Sequence, residues 1–383
     1  MLILLDCRPL QYAGPDSEKS RLIFSAVAGL SRTEAVTWLF VVDHSYQPEM
    51  LPDLAGAGIL SHASILTRRA LPGRAGWRLW YDWQIPRLAR HHKADLVMLT
   101  AGIAAADPAV PQCLWMPERA NPAEGDTGKR YPSIYTGRLA ASLQRAAAVF
   151  CFSQRDRAWL AGRYPAGKEK ILVLQTVPAE GVSPSAATEK EKIKAGYVQG
   201  REYFLADLTG AGEEEAINLL KAFSLFKKRQ LSNMQLVLTG RTSMSAAGMK
   251  EKLKTYKYRQ DVHWPDDLPE TEEWGLRGAA YAALFPADRN TLGTPLLNAW
   301  AAGVPAIVIN GGLLQEMAGR SALGAIAGDP AALAAQLMLI YKDEGLRRDL
   351  IAGGLDRLGA FRRERALDGV WEGIMRAASK VSL

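Results

Sequence analysis

The stretch that decides the reading is Leu284-Phe-Pro-Ala-Asp-Arg-Asn-Thr-Leu-Gly-Thr-Pro-Leu-Leu-Asn-Ala-Trp-Ala-Ala-Gly-Val-Pro-Ala-Ile-Val-Ile309. Its first residues close an apolar strand at Phe285. A loop containing Gly293 then leads into a helix with Pro295 in its first turn, where a missing N–H costs nothing because it would have no partner inside the helix. The helix is expected over Pro295–Ala302. It stops at Gly303, and Pro305 precedes a further strand, Ala306–Ile309. The backbone amides of Leu292, Gly293 and Thr294 are expected at the positive end of this helix, an arrangement that accepts a phosphate.

The same alternation of a short apolar run and a longer helical stretch extends outward along all 383 residues. It signals parallel sheets covered by helices on both faces. Strands are expected at Leu2–Asp6, Val36–Val42, Leu96–Thr100, Gln112–Trp115, Val149–Ser153 and Ile171–Leu174, with helices at Glu18–Leu30, Gly76–His91 and Ile134–Ala147. The second half repeats the pattern. Its strands are Tyr203–Leu208, Met234–Thr239, Val262–Trp264, Ala282–Phe285 and Ala306–Ile309, and its further helices Glu214–Arg229, Pro330–Tyr341 and Gly345–Gly354.

Such a length exceeds what one hydrophobic core usually serves. Two doubly wound, Rossmann-like domains are therefore expected, residues 1–178 and 198–362. Residues 179–197 between them, where Pro178–Lys194 shows no apolar period, read as a linker. A last helix in residues 363–383, with Trp371, Ile374 and Met375 near helical spacing, is expected to pack back on the N-terminal domain. Ligands of open α/β sheets bind beyond the C-terminal ends of the strands, and clefts between domains are favoured pockets. Architecture alone also fits a two-domain binding protein, a dehydrogenase or an epimerase.

Composition narrows the classes. Hydrophobic residues make up 48% of the chain and charged ones 23%, which excludes a disordered protein. Cys7, Cys113 and Cys151 are odd in number and widely spaced, so they read as small buried residues in a reducing compartment. No run approaches the roughly 20 apolar residues of a membrane helix, and a cytoplasmic location is expected. The net charge of +7 suits phosphate esters or acidic lipid headgroups. Its arginines and lysines are scattered, and no nucleic-acid-binding motif accompanies them. His44, His62, His91, His92 and His263 lack metal-ligand spacing, so no metal or cofactor is expected. There is no Gly-x-Ser-x-Gly, no P-loop and no complete dinucleotide fingerprint; Thr209–Gly212 after a strand is a partial echo of the last.

The opening stretch resembles the donor-nucleotide motif of glycosyltransferase family four, whose Pro-Ser-x-x-Glu-Gly-Phe-Gly-x-Pro-x-x-Glu-Ala precedes Ala-x-Gly-x-Pro-Val. Pro286, Gly293, Pro295, Leu297, Ala299, Ala301, Gly303 and Pro305 carry the match. It continues through Leu314-Gln-Glu-Met-Ala-Gly319, Gly328-Asp-Pro330 and Asp343-Glu-Gly-Leu-Arg347. Upstream, Asp6-Cys-Arg8, Trp83-Gln-Ile-Pro86, Ala94-Asp-Leu-Val97, Phe152-Ser-Gln-Arg155, Lys170-Ile-Leu-Val-Leu174, Leu219-Leu-Lys-Ala-Phe223 and Leu236-Val-Leu-Thr-Gly240 are similar to family segments in the same order. The resemblance implies a GT-B fold, two parallel-sheet domains facing across a cleft. It also implies a hexosyl-type transferase that moves a sugar from a nucleotide-sugar to a glycan or lipid-linked acceptor, with retention, in cell-envelope polysaccharide synthesis. Nucleic acid is not an expected partner, whereas peripheral contact with the inner membrane surface is compatible with this reading.

The chain departs from the family where the chemistry lies. The two motif glutamates that contact donor sugar and ribose fall on Asn290 and Asn298, which lose the charge and one methylene of reach. The Arg-Lys pair that neutralises the donor diphosphate falls on Glu213 and Glu214, beside Glu215. These carboxylates also suit the first turn of a helix, and Lys221 or Arg241 remain alternative sources of charge. The family's His-Asp stretch is replaced by Met116-Pro117-Glu118-Arg119, and its glycine-rich acceptor loop by Gly14-Pro-Asp-Ser-Glu-Lys-Ser-Arg21. The implied donor residues are Gly210, Arg241, Asn290, Thr291, Leu292, Gly293, Thr294 and Asn298. Gly14, Met116, Glu118 and Arg119 are the acceptor-side candidates, and no catalytic base is assigned. A catalytically impaired relative serving as a partner or regulatory subunit is the alternative reading.

Overall fold

Short apolar runs form most of the strands, and nearly every residue in the central strands of each sheet is buried, as expected where helices cover both faces of a parallel sheet. The computed structural model describes residues 1–14, 17–33, 36–51, 59–107, 110–117, 135–240, 246–265, 268–287 and 292–379. Contacts divide the chain into two units, Met1–Thr176 with Arg363–Leu383, and Val177–Arg362.

In the first unit β1 (Leu2–Asp6), β2 (Thr37–Asp43), β3 (Ala63–Arg68), β4 (Leu96–Leu99), β5 (Gln112–Trp115), β6 (Ala148–Cys151) and β7 (Ile171–Val173) form one parallel sheet in the order β3-β2-β1-β4-β5-β6-β7. Its helices are α1 (Arg8–Ala13), α2 (Glu18–Thr33), α3 (Gly73–Leu79), α4 (Ile85–His91), α5 (Tyr135–Arg145) and α6 (Gln154–Arg163). Trp38, Trp80 and Trp115 are fully buried in this unit.

In the second unit β8 (Tyr203–Asp207), β9 (Gln235–Thr239), β10 (Val262–His263), β11 (Ala282–Phe285), β12 (Ala306–Ile309) and β13 (Leu323–Ala325) form a parallel sheet in the order β10-β9-β8-β11-β12-β13. Helices α7 (Ala187–Val198), α8 (Glu213–Gln230), α9 (Ala246–Lys254), α10 (Glu270–Ala279), α11 (Thr294–Ala301), α12 (Leu313–Ala318), α13 (Pro330–Lys342) and α14 (Glu344–Leu358) surround it. Two apolar clusters, one on each face, contain Phe204, Phe223 and Phe226 in one and Tyr203, Leu296 and Trp300 in the other.

The last helix, α15 (Arg363–Ser379), belongs to the first unit. It passes so close to the sheet that a Cβ on Gly373 would stand 2.3 Å from the Phe150 ring.

Among the differences from the expectations, three have a clear physical cause. The expected helix over Gly76–His91 is α3 and α4 joined by a π-turn at Trp80–Gln84. Pro86 has no N–H to give to the preceding turn, and the wider turn absorbs the missing bond. Strand β3 has no buried residue, with Ser64 and Arg68 exposed on one face and Thr67 on the other, and so gives little apolar signal; it is the edge of its sheet, where such residues block further pairing. The stretch 179–197, expected as a linker, holds most of α7. The helix buries Val198 and packs Ile193 and Tyr197 against the Tyr203 cluster. Its apolar spacing begins only at Ile193, at the end of the charged run.

Candidate functional site

In each sheet the chain winds outward in opposite directions from two adjacent strands. That switch point places their following loops side by side at the C-terminal edge. In the second unit the strands are β8 and β11, with Leu284 aligned to Ala206. The turn after β8 and the loop leading to α11 are therefore neighbours.

The turn after β8 is built on Asp207. This carboxylate is buried, accepts the Thr209 N–H at 2.9 Å through Oδ1, and pairs with Arg277 Nη2 at 3.0 Å through Oδ2. Gly210 continues the turn at φ 76°, in the left-handed region. Gly240, at the end of β9, must also be glycine: its φ is 83°, and a Cβ would lie 2.4 Å from Asp207 Oδ1. Arg277 comes from α10, is buried, and also donates to Glu273 at 2.9 Å. Removing either member of such a buried pair would strand the other's charge.

Beyond the turn, Gly212 caps α8 and its N–H donates to Glu215 Oε2 at 2.9 Å. Glu213 pairs with Lys252 of α9 at 3.1 Å. All three carboxylates lie in the first turn, favourably placed against the helix dipole, and Glu215, beside the two that fall where the family carries cations, closes the cap. Lys221 is exposed on the same helix, two turns further on.

Across the switch point, Gly293 is the N-cap of α11 at φ 93°, and a Cβ on it would stand 2.2 Å from Met317 Sδ. Leu292 and Leu296 are buried beside it, and Pro295 occupies the first turn. Asn298 lies one turn into α11, buried, with Oδ1 accepting the Ala179 N–H at 2.8 Å. Its acceptor therefore holds the chain that enters the second unit. Arg241, Asn290 and Thr291 lie outside the described residues.

The first unit has its own polar cluster at the ends of β1 and β2, which sequence reasoning largely missed. Asp6, fully buried, accepts the Trp80 indole N–H at 3.0 Å. Burial pushes its carboxyl up to about 6, against the pull of Trp80 and the Arg8 guanidinium. Arg8 is buried as well, 3.5 Å from Asp43, with its Nη2 donating to the Leu71 carbonyl at 2.9 Å and its guanidinium 3.9 Å above the Trp77 ring.

Burial raises the Asp43 carboxyl, yet hydrogen bonds from Ser45, Tyr12 and Gln11 together hold it below its ordinary value. Tyr12 itself is exposed, with its hydroxyl fixed on Asp43 at 2.5 Å. The signal available in sequence was the aspartate closing each apolar run, in Leu-Ile-Leu-Leu-Asp6, Trp-Leu-Phe-Val-Val-Asp43 and Tyr-Phe-Leu-Ala-Asp207.

Of the acceptor-side candidates, Gly14 ends α1 at φ 87° with open space where a Cβ would be. Met116 is buried, and its carbonyl accepts Lys19 Nζ at 2.8 Å; the same ammonium binds the Thr100 carbonyl at 2.6 Å and so ties the ends of β4 and β5 together. Glu118 and Arg119 lie outside the described residues. The three cysteines are free and buried. Burial, with Asp6 adjoining, pushes the Cys7 thiol well above its usual range, so it is no nucleophile. Among the described residues no cluster of His, Cys, Asp and Glu suits a metal ion.

Two doubly wound parallel-sheet units in one chain, with glycine turns at the switch point of the second, are the organisation of the GT-B glycosyltransferases. Over almost its full length the chain is similar to a glycosyltransferase from Rickettsia africae, with TM-score 0.75, 13% identity and 97% of each chain covered. HepE of Anabaena in complex with UDP gives TM-score 0.73 at 12% identity, covering 98% of this chain and 99% of that one. WaaG, a glycosyltransferase involved in lipopolysaccharide biosynthesis, gives 0.69 at 13% identity, covering 96% and 99%. No curated protein sequence matches the chain. Residues 203–357 match the model of the glycosyl transferases group 1 family. The second unit thus carries a group 1 glycosyl transferase domain, on a chain with the GT-B fold.

Proposed function

We propose that the protein is a retaining, hexosyl-type glycosyltransferase that moves a sugar from a nucleotide-diphosphate donor to a glycan or lipid-linked acceptor in cell-envelope polysaccharide assembly. The observation that carries this reading is the group 1 match over residues 203–357, which spans β8, both glycine turns and α11. In the proposal the donor lies at the switch point of the second unit, against Gly210, Leu292, Gly293 and Thr294. The N-terminal end of α11 supplies positive potential to the diphosphate, a fixed dipole aimed at the charge that grows on the leaving group. Arg241, Asn290, Thr291 and Asn298 complete the donor side, and Gly14, Met116, Glu118 and Arg119 the acceptor side. HepE was crystallised with UDP and also with UDP-glucose, which makes uridine donors the first to try.

The test is calorimetric titration with UDP-glucose, GDP-mannose and ADP-glucose, with hydrolysis of each donor followed alongside. Saturable binding of one donor, with slow hydrolysis, is expected. Absence of binding to all three at millimolar concentration would overturn the proposal.

Two observations favour a second reading, a non-catalytic relative that acts as a partner or regulatory subunit. Glu215 is committed to the Gly212 N–H at the start of α8 while Glu213 pairs with Lys252, and the Asn298 acceptor is committed to Ala179. On that reading the same titrations give no heat.

A further inference from the structure

Asp6 and Arg8 each carry a buried polar atom without a partner, and the two atoms are complementary. Asp6 Oδ1 accepts the Trp80 indole N–H at 3.0 Å and the Arg8 backbone N–H at 3.3 Å, whereas Oδ2 has no hydrogen bond among the described residues. Arg8 directs Nη2 to the Leu71 carbonyl at 2.9 Å and Nε toward Asp43 at 3.5 Å, while its Nη1 has no acceptor there. Buried donors and acceptors nearly always find partners, because leaving one unpaired is unfavourable. Trp80 links the two residues: its N–H is on Asp6, and its ring centre lies 5.0 Å from the Arg8 guanidinium carbon.

This arrangement suits an Asp6 carboxyl that keeps its proton, the form that burial favours. Ionised in the same place, Asp6 would present a free carboxylate oxygen beside a guanidinium with a free N–H. Asp43 can release that guanidinium, since Ser45, Tyr12 and Gln11 all donate to it.

We propose that Arg8 is the arm of a protonation latch at the C-terminal edge of the first sheet. While Asp6 is protonated, Arg8 rests on the Leu71 carbonyl, on Asp43 and over the Trp77 ring, 3.9 Å from its centre. When the proton leaves for solvent, the guanidinium crosses to Asp6 Oδ2 in a charge-assisted pair and lets go of Leu71 and Trp77. The loop leading into α3 is thus tied to the end of β1 in mild acid and released from it as pH rises. The inference rests on no part of the donor reading.

The groups around Asp6 leave this role to it. Burial raises the Asp43 carboxyl, but its hydrogen bonds hold it below its ordinary value, so it stays ionised. Burial pushes Cys7, Tyr12, Tyr46 and Tyr81 up, and they stay neutral. Lys19 of α2 is held by the Thr100 and Met116 carbonyls, and Arg138 of α5 by Asp82. Imidazoles titrate in the relevant range, so His44, whose Nδ1 accepts the Ala70 N–H at 3.4 Å, is the group to control for.

The test follows the indole N–H signals of the full chain by NMR from pH 4.5 to 8. There are ten tryptophans, few enough to resolve, and Trp77→Phe and Trp80→Phe assign the two that matter. The Asp6 carboxyl titrates at about 6, so the Trp80 signal should move with a midpoint near that pH. The Trp77 signal should move with the same midpoint, because Arg8 leaves its ring. Asp6→Asn should hold both signals still, and His44→Gln should change neither titration. Arg8→Gln should keep the Trp80 movement and abolish that of Trp77. Arg8→Lys, which cannot lie flat on the ring, should do the same and serves if the glutamine variant does not fold. A Trp77 signal that stays fixed in the wild type would overturn the proposal, as would one that still moves without Arg8. So would movement that survives Asp6→Asn or vanishes with His44→Gln. No nucleotide enters these measurements, so their failure is distinct from failure of the donor titrations.

Discussion

Asp6→Asn is expected to stabilise the first unit, by an amount that grows with pH. The wild-type carboxyl is buried and titrates at about 6, above the 3.8 of an exposed aspartate. Between those values the folded protein keeps a proton that the unfolded chain has released. Stability therefore falls as pH rises through this window and levels off above it, the opposite of a salt-bridged carboxylate. About two pH decades at ~1.4 kcal/mol each set the full cost of the ionised form at about 3 kcal/mol. Roughly half of that cost is already present at pH 5, so the gap between variant and wild type should widen by about 1.5 kcal/mol from pH 5 to pH 8.

Asparagine keeps an oxygen for the Trp80 indole N–H, and its buried NH2 adds an offset that does not depend on pH. Urea unfolding of both proteins at pH 5, 6, 7 and 8, followed through the first unit, gives the comparison. A difference that stays flat across this range would refute the reasoning, whatever its sign, because it would mean that Asp6 does not titrate where burial places it.

Gly293→Ala should cost about 2–5 kcal/mol, from the left-handed backbone and the displaced Met317, and should abolish any donor binding; urea unfolding and calorimetry report the two effects. Asn298→Ala leaves the Ala179 N–H without its acceptor, and a loss of about 1 kcal/mol of stability is expected whether or not donor affinity changes. Arg277→Met should destabilise by about 3–5 kcal/mol by stranding the buried Asp207, and adding Asp207→Asn should recover part of that loss in the same denaturation assay. Gly373→Val should lower the stability of the first unit by about 1–3 kcal/mol or more, since its side chain would enter the Phe150 ring; hydrogen exchange on β6 would show it.

The sheets were legible because parallel strands buried on both faces are written as continuous apolar runs, and both expected Rossmann-like sheets are present. What periodicity missed had little apolar signal to give. β3 is a polar edge strand, β13 is three residues long, and α7 begins inside a run of lysine and glutamate. The Arg277–Asp207 pair joins residues 70 positions apart, so no local spacing announces it. The same holds for Arg8 on Trp77 and for Lys19 on the ends of two strands. A sequence displays what repeats along an element, whereas polar networks at strand ends are assembled from elements that meet only after folding.

The departures from the family motif gain physical meaning from these networks. In the resemblance, Glu213 and Glu214 stand where cations would neutralise a diphosphate, which alone suggests a donor site reversed in charge. In the structure two of the three carboxylates have local partners: Glu215 closes on Gly212, and Glu213 pairs with Lys252. The buried arginine of the neighbourhood, Arg277, is also spent, on Asp207 and Glu273. What the second unit keeps without substitution is backbone shape: left-handed glycines at 210, 240 and 293 around β8, β9 and β11, and a helix that begins at Thr294. Among the described residues the site therefore offers a diphosphate fixed dipoles more than side-chain charge, and Arg241 is the donor-side cation left to test: Arg241→Gln should weaken the salt dependence of nucleotide-diphosphate affinity. Backbone shape survives loss of the chemistry more readily than side chains do, because Gly293 must remain glycine for Met317 alone.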